Sequence, residues 1–178
     1  MKNMLLITLI ISVFYLPKAN AQNGYQYLNL GIGYLDKPNH GLTGSIAMEF
    51  MGKYLNSWEV YVQASKLSYA QTNSTITDSL SSKISTTIKQ QTNYNYTAGL
   101  IYKHLVLRSR NTCLRIKGGL GVGSDTNSLI IETIAGFELS KTLKGGFELV
   151  LQQNNGYVFH SNQSWRSGFA LGFKIPLL

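Results

Sequence analysis

The sequence predicts an all-β protein, an eight-stranded antiparallel up-and-down β-barrel of the outer-membrane kind. Three observations predict it. Apolar and polar residues alternate with a period of two in eight separate stretches, and nothing after Gln22 carries a helical period. Charged residues make up 13% of the chain against 44% hydrophobic, about half the usual charged share, so a large area is built to avoid water. The chain also opens with the layout of an export signal.

That signal comes first. Met1-Lys2-Asn3 gives a positive start, residues 4–16 are an apolar run, and Ala19-Asn20-Ala21 supplies small residues before Gln22. The run is shorter than the ~20 residues a spanning helix needs, so residues 1–21 are expected to be a cleaved signal peptide and 22–178 the barrel domain. Losing Lys2 and Lys18 takes the formal charge of +8 down to +6. The remaining bases are scattered singly, without a run or helical stripe, so no direct nucleic-acid partner is expected. Cys113 is the single cysteine. It can form no internal disulfide and share no thiolate metal site.

The strands follow in order. Residues 25–34 put Leu28, Leu30, Ile32 and Tyr34 on one parity, and 41–50 do the same with Leu42, Ile46, Met48 and Phe50. Residues 57–70 contribute Trp58, Val60, Val62 and Ala64; 92–105 form the fourth stretch; 112–122 contribute Leu114, Ile116, Leu120 and Val122. Residues 129–139 carry Leu129, Ile131, Ala135, Phe137 and Leu139, and 143–153 carry Leu143, Phe147, Leu149 and Leu151. The last stretch, 165–177, carries Phe169, Leu171, Phe173, Ile175 and Leu177. Each is near the ~9–11 residues of a tilted membrane strand. The connections after the second, fourth and sixth stretches (51–56, 106–111, 140–142) are short, whereas 71–91 and 154–164 are long. Short turns facing the periplasm and longer loops outside is the outer-membrane pattern. The Ser/Thr-rich segment 71–91 reads either as a loop or as an extension of strands three and four beyond the membrane.

The opposite parity gathers the strand charges: Glu49, Glu59, Lys103, Arg115, Lys117, Glu132, Glu138, Lys144, Glu148, Arg166 and Lys174. It also holds many glycines, among them Gly31, Gly33, Gly99, Gly119, Gly121, Gly136, Gly146, Gly168 and Gly172. A soluble periplasmic ligand-binding barrel would point its apolar face inward; a membrane barrel points it at lipid and lines its lumen with the polar face. Three features favour the second. Glycines interleave with long charged residues, as a narrow lumen requires. The export signal and unequal connections agree with it. Aromatics such as Tyr25, Tyr34, Tyr54, Trp58, Tyr94, Tyr102, Tyr157 and Trp165 stand near strand ends, where a membrane–water boundary suits them. The lipid-facing set is then Leu28, Leu30, Ile32, Val60, Val62, Leu149, Phe169, Leu171 and Phe173. The eleven charged residues form a paired lumen network, because buried charges without partners are costly. Such a network plugs the barrel, and function moves to the loops, the rims or a partner.

No catalytic set emerges. Gly119-Leu120-Gly121-Val122-Gly123 lies inside an alternating strand with no helix after it, so the phosphate-loop reading fails its context. His40, His104 and His160 are isolated and lack metal-ligand spacing. His160 with Ser161 and Ser164 has no hydrolase signature around it. No enzyme activity, cofactor or metal is expected.

Three stretches carry a family resemblance: "NSWEVYVQASKLSYAQ" (56–71), "YNYTAGLIYKHLVLRSRNTCLRIKGGLGVGSD" (94–125) and "ETIAGFELSKTLKGGFELVLQQ…GFALGFKIPLL" (132–178). Their order, after Ala21-Gln22, resembles the TraO proteins of conjugative transposons. The chain departs from that pattern at its end, Pro176-Leu177-Leu178, where an aromatic is common. The resemblance implies a non-enzymatic outer-membrane component of a DNA-transfer apparatus, whose partners are membrane lipid and other transfer or envelope proteins. The alternative is a general small barrel serving adhesion or envelope integrity.

Overall fold

A computed structural model describes residues 24–37, 40–52, 54–76, 84–125, 128–159 and 165–177. The expected signal peptide, His160, Ser161 and Ser164 lie outside these residues. Eight strands run in chain order: β1 (Gln26–Lys37), β2 (His40–Met51), β3 (Ser57–Ile76), β4 (Ile84–Arg108), β5 (Thr112–Ser124), β6 (Leu129–Thr142), β7 (Glu148–Phe159) and β8 (Trp165–Leu177). Each pairs antiparallel with its sequence neighbours, and β1 closes the barrel on β8, from Gln26↔Leu177 to Lys37↔Ser167. Closure leaves the barrel wall no open edge.

The alternation orients every strand. On β6 the odd residues Leu129, Ile131, Phe137 and Leu139 are exposed, while Ile130, Glu132, Glu138 and Ser140 are buried. Leu171 on β8 is 67% exposed and its ladder partner Ile32 on β1 73%. Leu30, Leu149 and Phe169 are also exposed and point outward, and Leu28, Val60, Val62 and Phe173 are partly exposed on the same parity. Trp58 and Tyr102 meet on the outer wall with ring centroids 4.9 Å apart, near the end with the short turns. Tyr34, Tyr94, Tyr157 and Trp165 stand exposed toward the other end.

Two elements differ from the sequence reading. The seventh strand begins at Glu148, not at residue 143, and runs on to Phe159. Residues Lys144–Gly146 form a 3-10 turn in which Gly145 and Gly146 both take φ of 80°, a conformation glycine adopts without Cβ strain. Lys144 therefore sits exposed on the turn and does not enter the lumen. Residues 154–159 of the expected long connection are strand, and its remainder, 160–164, lies outside the described residues. The segment 71–91 contains the far ends of β3 and β4, paired without interruption from Ser57↔Lys103 to Ile76↔Ile84. Among the described residues, β3 beyond Ser68 pairs only with β4, and β4 before Tyr96 only with β3. These ends make a two-stranded ribbon that leaves the barrel. The barrel thus has a turn end, with the short connections, and a ribbon end, from which β3 and β4 extend.

Candidate functional site: a sealed lumen

Eight strands enclose an interior that side chains can just fill, and here the filling is ionic. Among the described residues, the buried charged ones are Glu49, Glu59, Glu132, Glu138 and Glu148 against Lys103, Arg115, Lys117, Arg166 and Lys174. The five acids balance the five bases.

Most of these charges form one cluster near the turn end. Lys103 Nζ, fully buried, donates to Glu49 Oε2 at 2.9 Å, to Glu59 Oε2 at 2.7 Å and to Glu138 Oε2 at 2.5 Å. Lys174 Nζ lies 2.7 Å from Glu49 Oε2, 2.6 Å from Glu138 Oε1 and 3.7 Å from Glu148 Oε2. Arg115 Nη1 donates to Glu138 Oε1 at 3.1 Å and Ser140 Oγ at 3.0 Å, and its Nε reaches the carbonyl of Leu55. Asn29 Nδ2 donates to Glu59 Oε2, Ser57 Oγ to Glu49 Oε1, and Lys117 Nζ to Gln152 Oε1 at 2.6 Å. All eight strands contribute a member: Asn29, Glu49, Glu59, Lys103, Arg115, Glu138, Glu148 and Lys174, from β1 to β8 in turn. The cluster bridges opposite walls through side chains, in addition to the backbone ladders around the circumference.

Carboxylate oxygens of Glu49, Glu59 and Glu138 lie within 4.8 Å of one another, a spacing a metal ion could use. The Lys103 ammonium bonds all three, so it holds the position an ion would take. His40 and His104 are both exposed on the outer wall; His40 Nδ1 hydrogen-bonds Tyr34 Oη at 2.9 Å.

Above the cluster lies an apolar layer of Ala47, Tyr61, Ile101 and Ile134. Gly121 makes room for it, because a Cβ there would collide with Tyr61 Oη. Toward the ribbon end come Glu132, Asn95 and Arg166, all buried. With its amide oxygen turned to Arg166, Asn95 accepts from both Nη atoms, at 3.0 and 2.6 Å. Gly156 faces Glu132, and a Cβ there would fall 2.9 Å from Oε1. A cavity of about 50 Å³ opens beside this tier, lined by Tyr61, Glu132, Asn154 and Arg166 among others. Glu132 Oε2, Asn154 Oδ1 and Arg166 Nε have no hydrogen-bond partner among the described residues. The cavity has the room and the polar lining to hold water. The sequence reading put Glu132 and Arg166 in a single network with the other charges; they form a separate tier. It missed the neutral members Asn29, Ser57, Asn95, Ser140 and Gln152, which the inward parity of their strands marks.

No family model and no curated protein matches the sequence. Solved structures do match. A major outer membrane protein from Thermus thermophilus superposes with a TM-score of 0.57 at 11% identity, over 88% of this chain and 100% of that one. Neisserial surface protein A gives 0.57 at 12% identity, over 85% and 96%. The outer membrane enzyme PagL gives 0.48 at 11% identity, over 85% and 99%. This chain has the fold of small outer-membrane β-barrels. The likeness establishes the architecture, while the TraO resemblance rests on sequence stretches alone.

Proposed function

We propose that this chain is a non-enzymatic, non-conducting barrel of the outer membrane, reached after removal of residues 1–21, and that it serves a conjugative DNA-transfer apparatus by docking partner proteins through its rims and projecting ribbon. One observation carries the proposal: the ion cluster that joins all eight strands fills the lumen near the turn end. Water-filled channels belong to barrels of ~16–18 strands, and a lumen crossed near the turn end by ion pairs and hydrogen bonds drawn from all eight strands offers no path for a solute. What remains available to partners is the outside: the exposed turns, the ribbon of β3 and β4, and the aromatic rims. The transfer role itself rests on the resemblance of residues 56–71, 94–125 and 132–178 to TraO proteins.

Two experiments test the two halves. Purified protein in planar bilayers should give no steady conductance at neutral pH; a persistent open channel contradicts the plug. Deleting the gene from its host should lower conjugative transfer at least tenfold, with recovery on complementation. Unchanged transfer alongside weakened adhesion or envelope integrity would replace the transfer role with the general-barrel reading.

A further inference from the structure

The outer wall is not uniformly filled. Over β1, β2 and β3 lies an outward groove of about 470 Å³, lined chiefly by Leu28, Ile46, Met48, Val60, Val62 and Ala64. Its head is at Gly44, where an added Cβ would meet nothing within 4 Å, and at Ala64, its ladder partner. Elsewhere at this level the wall carries larger groups: Ile32 pairs with Gly44 on one side and Tyr96 with Ala64 on the other. From Ala64 to Val60 the groove follows the strand for about 14 Å, which at a strand tilt of ~45° is about 10 Å of depth, within the ~15 Å of one hydrocarbon leaflet.

One position further toward the ribbon end on the same face stands Lys66, exposed, between Leu42 and Tyr94 in the ladder. No acidic group lies within ion-pair distance of it among the described residues. Taking the turn end as periplasmic, Lys66 lies at the outer boundary of the apolar band and the groove runs from it into hydrocarbon. An apolar slot headed by one unpaired cation matches an amphiphile with an anionic head and a long apolar tail. A polar peptide would bring backbone groups that find no partners in the slot. A second copy docked by two-fold symmetry would bring its own Lys66 to the same face, cation toward cation.

We propose that this groove is a binding site for one phosphate-bearing acyl lipid of the outer leaflet, its chain lying between Ala64 and Val60 and its phosphate held by Lys66. The inference rests on the membrane reading of the barrel, so the first readout is whether the protein purifies only with detergent. Recovery as a soluble monomer would defeat that reading before the lipid question arises.

The test is native mass spectrometry of the folded barrel, released from detergent after incubation with phosphatidylglycerol or with phosphatidylcholine at equal concentration. The parent should retain a single phosphatidylglycerol at several-fold higher occupancy than phosphatidylcholine. Gly44→Leu fills the head of the groove from an outward position and should reduce retention of both lipids at least fivefold. Ala64→Leu closes the opposite side and should do the same, so a folding defect in one variant leaves the other to decide. Lys66→Gln should bring phosphatidylglycerol down to the phosphatidylcholine level and leave the melting temperature of lipid-free protein unchanged. Equal retention by the parent and the groove variants overturns the proposal, as does a Lys66→Gln effect shared by both lipids. A two-chain species lost in Gly44→Leu would assign the groove to a second copy instead.

Discussion

Replacing Lys103 by methionine keeps most of the side-chain volume and removes the ammonium that three buried carboxylates share. Glu49, Glu59 and Glu138 present oxygens within 4.8 Å of one another. At an effective dielectric of ~20, two unit charges that far apart repel by roughly 3 kcal/mol. The lumen also passes from balanced to one net negative charge. Relaxation, proton uptake or entering water will relieve part of this, and removing one partner of a buried ion pair costs about 3–5 kcal/mol in practice. That is a large fraction of the ~5–15 kcal/mol that stabilises a domain. The assay is urea unfolding in lipid vesicles, followed by the fluorescence of Trp58 and Trp165. Glu59→Gln supplies the control, because Glu59 bonds only Lys103 and Asn29 in the cluster. In the double variant Lys103→Met/Glu59→Gln the charge balance returns. The loss in the double variant should then fall short of the sum of the two single losses by about 0.5–3 kcal/mol, the range expected for residues in contact. A single variant within about 0.5 kcal/mol of the parent, or strictly additive losses, would refute the claim that these charges stabilise one another.

Other expectations concern packing, surface and ribbon. Gly121→Ala should destabilise the barrel by about 1–3 kcal/mol through overpacking. The cost should shrink in a Tyr61→Phe background, which removes the hydroxyl the new Cβ would strike; the same unfolding titration reads both. Leu171→Arg, on the outward face, should cost about 2–4 kcal/mol in vesicles, as a cation near the bilayer midplane does. Lys144→Ala should leave stability within about 0.5 kcal/mol of the parent, as surface substitutions do, because Lys144 lies on an exposed turn. Replacing residues 69–91 by a short turn should leave a barrel that still folds in vesicles, since among the described residues the two strands past Ser68 pair only with each other. If the ribbon docks partners, transfer frequency falls with it.

The strand alternation was legible because a half-buried strand must repeat with period two, and six of the eight strands start within about three residues of their expected positions. It failed at β7 because Leu143, Phe147, Leu149 and Leu151 keep a common parity straight through the turn. The adjacent Gly145-Gly146 was the available warning, and missing it put Lys144 in the lumen. Segment 71–91 stayed open between loop and ribbon because its serines and threonines suit both. Which charges meet could not be read from the chain: Lys103 reaches Glu59 across 44 positions and Glu49 across 54, and only the register of a closed sheet brings them together. The same closure separates Glu132 and Arg166 from the main cluster. The neutral polar members were within reach, since Asn29, Ser57 and Gln152 share the inward parity of the charges they bond.

If the apolar wall meets hydrocarbon while the charges lock together inside, bromine carried on the acyl chains should quench a tryptophan on that wall. With Trp58 and Trp165 changed to phenylalanine, a single tryptophan is placed at Leu171 and the protein is folded into vesicles whose acyl chains carry bromine near their middle. Strong quenching by the brominated chains and little by aqueous iodide is the expected result. Strong iodide quenching with no response to the brominated chains would contradict it.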